Sequence, residues 1–248
     1  RLAAWGDVAR RIAHEIKNPL TPIQLSAERM KRKFGNTIGE DAKEVNRYSD
    51  VIIRQTNDLR RIVDEFSKFA RMPEPKRRNE DLLQLICDVV TLQQEALCPT
   101  RISLDLPSHD IHAEIDSTMF NQALTNLIKN AGEAIVSRKE KPKKFIPEIR
   151  INVTVLGHDT VIEIQDNGIG LPKENRSRLF EPYVTHRDNG TGLGLPIVKK
   201  IIEEHGGTLE LVDALPFNSS EHIGAMARIV LPFGNCMDKD HSIEEVAR

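Results

Sequence analysis

Four short segments of the chain carry residue types and spacings that can do chemistry. The first is Ala13-His14-Glu15-Ile16-Lys17-Asn18-Pro19-Leu20. Imidazole changes charge near neutral pH, and an adjacent carboxylate such as Glu15 can take its proton or fix its tautomer, leaving a nucleophilic nitrogen. Asn18 falls one helical turn after His14 and can position a small polar reactant. Pro19 removes a helical donor, so a kink is expected just beyond the site. Alone, a helical histidine is usually just a solvated side chain; its three neighbours here change that weighing.

The second segment is Asn126-Leu-Ile-Lys-Asn130. Residues four apart share a helix face. Two amides on a helix otherwise marked by Phe120, Leu124, Leu127 and Ile128 are costly unless they bind something. A hydrated Mg²⁺ bearing phosphate oxygens would satisfy them, and so would capping or core hydrogen bonds. The third, Asp166-Asn-Gly168-Ile-Gly170, follows an apolar alternating run. A carboxylate there can accept from an exocyclic amine, and glycines let backbone approach a flat ring; the same string also spells a turn. The fourth, Gly190-Thr191-Gly192-Leu193-Gly194, opens onto a helical pattern. Backbone N–H groups at such a junction suit phosphate. It is neither a Walker A loop nor a strand-led dinucleotide fingerprint.

These segments need scaffolds. Trp5, Val8, Ile12, Ile16, Leu20, Ile23, Ala27, Met30 and Phe34 recur three or four apart, which predicts an amphipathic helix of about eight turns. After a break at residues 35–39, Val45, Tyr48, Ile52, Thr56, Leu59, Ile62, Phe66 and Phe69 predict a second. Two such helices, each about 45 Å long, leave apolar seams uncovered, so a four-helix bundle from two chains is expected. Met72-Pro-Glu-Pro-Lys-Arg-Arg78 ends the hairpin, since proline excludes helical geometry at and before itself. Beyond it, helix 81–96, strands 101–106 and 111–115, and a helix capped by Asp116 running to about Arg138 are expected. A strand pair 148–156 and 160–165, a helix 195–205 stopped by Gly206-Gly207, and strands 208–212 and 225–232 follow. That order predicts one sheet covered by helices on one face. We divide the chain into a hairpin at 1–71, a linker at 72–78, an α/β domain at 79–235 and a polar tail at 236–248.

Composition narrows the class. The chain has 248 residues, 35 basic against 37 acidic, for a formal net charge of −2. Near-neutral charge and 4% aromatic content argue against a nucleic-acid surface. Residues 1–80 hold 18 basic and 12 acidic residues, a solvated face or a docking surface for an acidic partner. Cys87, Cys98 and Cys236 form no CxxC pair, so neither a disulfide framework nor a thiolate zinc site is expected. No apolar run approaches the roughly 18 residues of a membrane span, so no membrane contact by these residues is expected. The opening Arg1-Leu-Ala-Ala-Trp5 lacks a methionine and leads us to expect a longer protein around it.

In order and spacing, the four segments resemble the H, N, G1 and G2 boxes of bacterial sensor histidine kinases. Arg178-Leu-Phe-Glu-Pro-Tyr183 resembles the F box between the last two. The resemblance spans residues 5–234, and the style of the boxes is nearest the nitrogen-regulation kinases of the NtrY type. It implies a dimeric histidine-phosphotransfer hairpin followed by a Bergerat-type ATP-binding α/β sandwich. By position, His14 would be the phosphoacceptor and Glu15 its proton acceptor. Asn130 would hold Mg²⁺, with Asn126 beside it. Asp166 would receive the adenine amino group, with Gly168 and Gly170 shaping that pocket. Gly190, Thr191, Gly192, Leu193 and Gly194 would cradle the triphosphate.

Two departures stand out. Relatives often read Thr-Thr-Arg/Lys and then Lys-Gly-Thr-Gly, whereas this chain has Thr185-His186-Arg187 and Asn189. Arg187 is then the remaining cation for the γ-phosphate. The implied activity is ATP-dependent autophosphorylation, with transfer to an aspartate on a receiver domain of the NtrX type, in the cytoplasmic portion of an inner-membrane-anchored kinase. The Glu15-x-x-Asn18 pattern also resembles that of kinases that dephosphorylate their partner, with Asn18 placing the water. An ATP hydrolase on the same nucleotide fold and a docking module with an impaired lid are the alternatives.

Overall fold

The computed structural model describes residues 2–35, 40–70, 72–139, 145–181, 192–217, 224–232 and 235–236. Residues 1–73 and 189–193 build one unit, and residues 74–188 and 194–248 another.

In the first unit, α1 (Leu2–Phe34) and α2 (Glu40–Ala70) form the expected hairpin. α1 runs on helically past Pro19 and Pro22. The carbonyls of Glu15 and Asn18, four residues back, therefore lack their usual helical N–H donors. The contact between the helices is narrower than the apolar stripe. Ala13, Leu20 and Ala27 are buried against Ala42, Ser49, Thr56 and Val63. Each set advances by seven, one heptad row per helix. The expected seam positions Ile16, Ile23, Met30, Phe34, Tyr48 and Leu59 stay exposed instead, Ile23 and Leu59 at 47% each. The reason is geometric: an antiparallel pair buries a single row, whereas the stripe is two rows wide.

At the turn, Gly35 N–H donates to Lys31 O (2.8 Å) and Asn46 Nδ2 to Gly35 O (3.1 Å). A side chain at Gly35 would collide with both partners.

The second unit is a two-layer structure. A five-stranded sheet has the order β2 (Arg101–Asp105), β4 (Glu148–Leu156), β5 (Asp159–Asp166), β7 (Ala225–Pro232), β6 (Thr208–Asp213). β2 and β4 are parallel and the other pairs antiparallel. Alternation puts Ile149, Ile151 and Val153 of β4 in register with Asp166, Ile164 and Ile162 of β5, all buried. Over that face lie α4 (Ser117–Val136), with Phe120, Leu124, Leu127 and Ile128 buried, and α5 (Gly194–Glu204), with Ile197, Val198, Ile201 and Ile202 buried. α3 (Leu82–Ala96) packs on α4, where Gly132 admits the Leu97 side chain.

The single-sheet expectation needs correction. A second, three-stranded sheet has the order β1 (Arg78–Asp81), β3 (Ile111–Ile115), β8 (Asn235–Cys236). The two strands expected in sequence, β2 and β3, therefore belong to different sheets. β1 has no strand-forming side chains; its pairing with β3 makes it a strand, so ordered structure begins inside the expected linker. Likewise Cys236 pairs with Ile111, one residue into the expected tail.

Helix ends follow the sequence closely. Asp81 Oδ1 caps α3 through Leu83 N and Gln84 N (3.0 Å each), and Gly206 at φ +77° closes α5. Asp116 Oδ1 caps α4 through Thr118 N and Met119 N (3.1 Å each), while its Oδ2 accepts from Lys76 N (2.9 Å). Burial alone would raise the Asp116 carboxyl, but the N–H donors of Lys76, Met119 and Thr118 hold it below the ordinary carboxylate range. With its folded pKa depressed, this stabilisation is present above the unfolded value of about 3.9 and is lost as pH falls through the folded value. Asp116→Ala should cost about 1–2 kcal/mol in denaturant unfolding at pH 7, and the gap between variant and wild type should shrink below about pH 4. A gap unchanged at acid pH would refute this assignment.

Candidate nucleotide site

α4 carries both amides of the second segment. Asn126 and Asn130 are one turn apart and half-buried. A Cβ added at Gly194, the first residue of α5, would lie 4.0 Å from Asn130 Nδ2. The amide of the N segment thus stands beside the end of the glycine segment. Their oxygens are hard, neutral donors of the kind a partly hydrated Mg²⁺ accepts. Ahead of α5, Gly192 takes φ +69°, a left-handed conformation favouring glycine, and Leu193 is fully buried.

Asp166 closes β5 at 5% exposure. Its Oδ1 accepts from Gly168 N (2.8 Å) and Ala225 N (3.5 Å), which aims the carboxylate along the turn. Gly168 also makes a close approach of its own to main chain. A Cβ there would lie 2.4–2.6 Å from the main chain of Ala134 and Ile135 on α4. Ile169 N donates to Ala134 O (3.1 Å). The turn is laid directly on the helix backbone, one turn beyond Asn130. Gly170 follows at φ +76°.

Three residues that the sequence did not single out complete this corner. Asn167 is buried; its Nδ2 donates to Ile146 O (2.7 Å), and its Oδ1 accepts from Glu148 N (3.1 Å). Arg138 Nη1 donates to Asn167 O (3.0 Å). Gly224 leaves no room for a side chain, since an added Cβ would lie 1.7 Å from Asp166 O. Asn167 was legible as part of the turn string. Gly224 and Arg138 depend on contacts between distant segments.

The remaining predicted residues divide cleanly. His14, Glu15 and Asn18 lie on α1, with Asn18 exposed. Arg187, Gly190 and Thr191, together with the altered lid positions His186 and Asn189, lie outside the described residues.

Residues 4–75 match the family described as His Kinase A (phospho-acceptor) domain, and residues 115–235 match the histidine kinase-, DNA gyrase B-, and HSP90-like ATPase family. The nitrogen regulation protein NtrY of Azorhizobium caulinodans is 50% identical over 231 residues, 93% of this chain. The chain belongs to the sensor histidine kinases. It spans 29% of the length of that NtrY protein and 35% of the signal transduction histidine-protein kinase AtoS of Escherichia coli, to which it is 27% identical. Among solved structures, histidine kinase ThkA in complex with response regulator protein TrrA is similar at a TM-score of 0.60 and 26% identity, covering 94% of this chain and 63% of that one. Full-length ShkA in complex with AMPPNP shares the fold at a TM-score of 0.63, covering 92% of this chain and 46% of that one.

In this chain the contact between Gly168 and α4 generates a direct prediction. Gly168→Ala should abolish measurable binding of a fluorescent ATP analogue, because the turn must lift off Ala134 to admit a methyl group. Gly157→Ala, in the β4–β5 turn with no atom within 4 Å of an added Cβ, should leave affinity unchanged. Wild-type affinity in Gly168→Ala would refute the packing argument.

Proposed function

We propose that this chain is the catalytic core of an ATP:protein-histidine phosphotransferase that phosphorylates itself on His14. The observation that carries the reading is the joining of Asp166, Asn130 and Gly194 through α4, in a chain whose α1 bears His14. Asp166 accepts from the adenine amine, and the Gly168-Ile169 turn forms the pocket wall beside it. Asn130, assisted by Asn126, would hold Mg²⁺, which when bound neutralises charge on the phosphates. The glycine segment 190–194 offers main-chain N–H groups to the same oxygens, and Arg187 supplies a cation. A neutral His14 nitrogen attacks the γ-phosphorus in line. The N–P bond forms as the bond to the β-phosphate oxygen breaks, Glu15 takes the ring proton, and ADP leaves. Positioning and electrostatics carry most of the acceleration.

The phosphoryl group then passes to a receiver-domain aspartate, in keeping with the relative solved with its response regulator. Similarity to NtrY supports a receiver of the NtrX type, a role in nitrogen regulation and an inner-membrane-anchored whole protein with this part in the cytoplasm. Asn18, exposed on α1, would orient a water for a separate reaction, hydrolysis of the receiver's aspartyl phosphate to inorganic phosphate. The exposed heptad row Ile16-Ile23-Met30 on α1, with exposed Leu59 on α2, supports a homodimeric four-helix bundle, because burying it in a second copy completes the seam.

The test is transfer of label from γ-³²P-ATP with Mg²⁺. Wild type should take up acid-labile, base-stable label and His14→Gln none, with both preparations running at twice the chain mass by light scattering. Asn18→Ala should take up label normally yet release phosphate from a labelled receiver more slowly. Label retained in His14→Gln would overturn the acceptor assignment, a monomeric mass the dimer, and unchanged release in Asn18→Ala the phosphatase role.

A further inference from the structure

The start of the ATP-binding unit is pinned by groups that the nucleotide site does not use. Lys76 N donates to Asp116 Oδ2 at the N-cap of α4 (2.9 Å). Arg77 Nη2 donates to Glu204 O, in the last turn of α5. Between these anchors sits His205, 6% exposed. Its Nε2 accepts from Asp116 N (2.9 Å), its Nδ1 bonds Ile201 O (2.7 Å), and its ring stands edge-on to Phe120 at 6.0 Å. The ring thus fastens the C-terminal end of α5 to the N-terminal end of α4. These are the ends opposite to where Gly194 meets Asn130. A residue pair next to the hairpin is thereby fixed to both helices of the nucleotide site.

We infer that Lys76 and Arg77 act as a clamp that sets the length of the tether to the phosphoacceptor hairpin, making Arg77 a positioning residue for phosphoryl transfer to His14; this role rests on the kinase reading above. α2 ends at Ala70, so five residues, 71–75, separate it from the first anchor. Two of them, Pro73 and Pro75, resist compact conformations. At about 3.5 Å per residue the tether reaches about 21 Å. With the clamp open, the next fixed point is β1 at Arg78, and the reach grows to about 28 Å. The volume that the ATP-binding unit can explore around the hairpin rises about 2.4-fold, with a matching fall in effective concentration. Orientation is lost as well, because the clamp holds the chain direction against two helix ends.

The prediction separates binding from transfer. In the full chain, the double variant Lys76→Pro/Arg77→Ala, which removes both donors of the clamp, should keep MgATP affinity within about twofold and still unfold cooperatively. Initial label incorporation at saturating ATP should fall about three- to tenfold. Arg77→Lys alone keeps the Lys76 N–H and a side-chain donor for the Glu204 carbonyl and should retain most of the rate. Inserting Gly-Ser-Gly-Ser after Glu74, with the clamp intact, should slow transfer comparably without touching affinity. A wild-type rate in the double variant overturns the clamp, as does a rate loss matched by an equal loss of affinity. Absence of label in the wild type would instead overturn the kinase reading itself, so the two failures are distinguishable.

Discussion

The nucleotide site depends on a contact between two stretches of main chain. Gly168 rests on the backbone of Ala134 and Ile135, and Ile169 N–H closes on Ala134 O. No other residue type permits that approach, because a single methyl would have to displace a helix. Everything chemical in the ATP-binding unit is referred to this contact. It fixes Asp166 at the end of β5 relative to α4, and α4 carries Asn130 one turn away to meet Gly194. The proposed adenine end and the proposed phosphate end are thus two stations on one helix. A main chain held by hydrogen bonds moves less than a side chain, so the distance between the stations is set before any nucleotide arrives.

The hairpin obeys a complementary constraint. Its internal seam uses mostly small residues, Ala13, Ala27, Ala42, Ser49 and Thr56, joined by Leu20 and Val63, at one heptad row per helix. Thr56 satisfies its hydroxyl locally by donating to Ile52 O (2.6 Å). Large apolar side chains such as Ile16, Ile23 and Leu59 are kept for the other row. The small residues of the inner row let the helices approach closely, and the bulkier row is left exposed. Prolines 19 and 22 sit within this helix without ending it, because packing along the seam outweighs the loss of two hydrogen bonds.

Much of this was legible in the sequence, and the exceptions share a cause. Periodicity located both long helices, α4 and α5, and the caps at Asp116 and Gly206 followed from local chemistry. The strand pair on either side of Gly157 was equally clear. What could not be read required knowing which distant segments touch. Arg78–Asp81 becomes a strand only by pairing with β3, and the two short strands β2 and β3 enter separate sheets although they are adjacent in sequence. Gly168 was legible as a position that needs glycine, but its contact with the helix beneath it was not. Gly224 carries no local signal at all, since its partner Asp166 is 58 residues earlier.

The central claim is that α4 holds the adenine and metal ends of the site as separable stations on one rigid element. Nucleotide affinity measured by calorimetry with and without Mg²⁺, in wild type, Asn130→Ala and Asp166→Asn, tests it most directly. Asn130→Ala should bind Mg²⁺-free ADP like the wild type and lose the gain in ATP affinity that Mg²⁺ brings. Asp166→Asn should weaken binding about tenfold or more in both conditions, as expected for losing a charged hydrogen bond. If Asn130→Ala retains the full Mg²⁺ gain, or if both variants lose Mg²⁺-free affinity alike, the account of α4 is wrong.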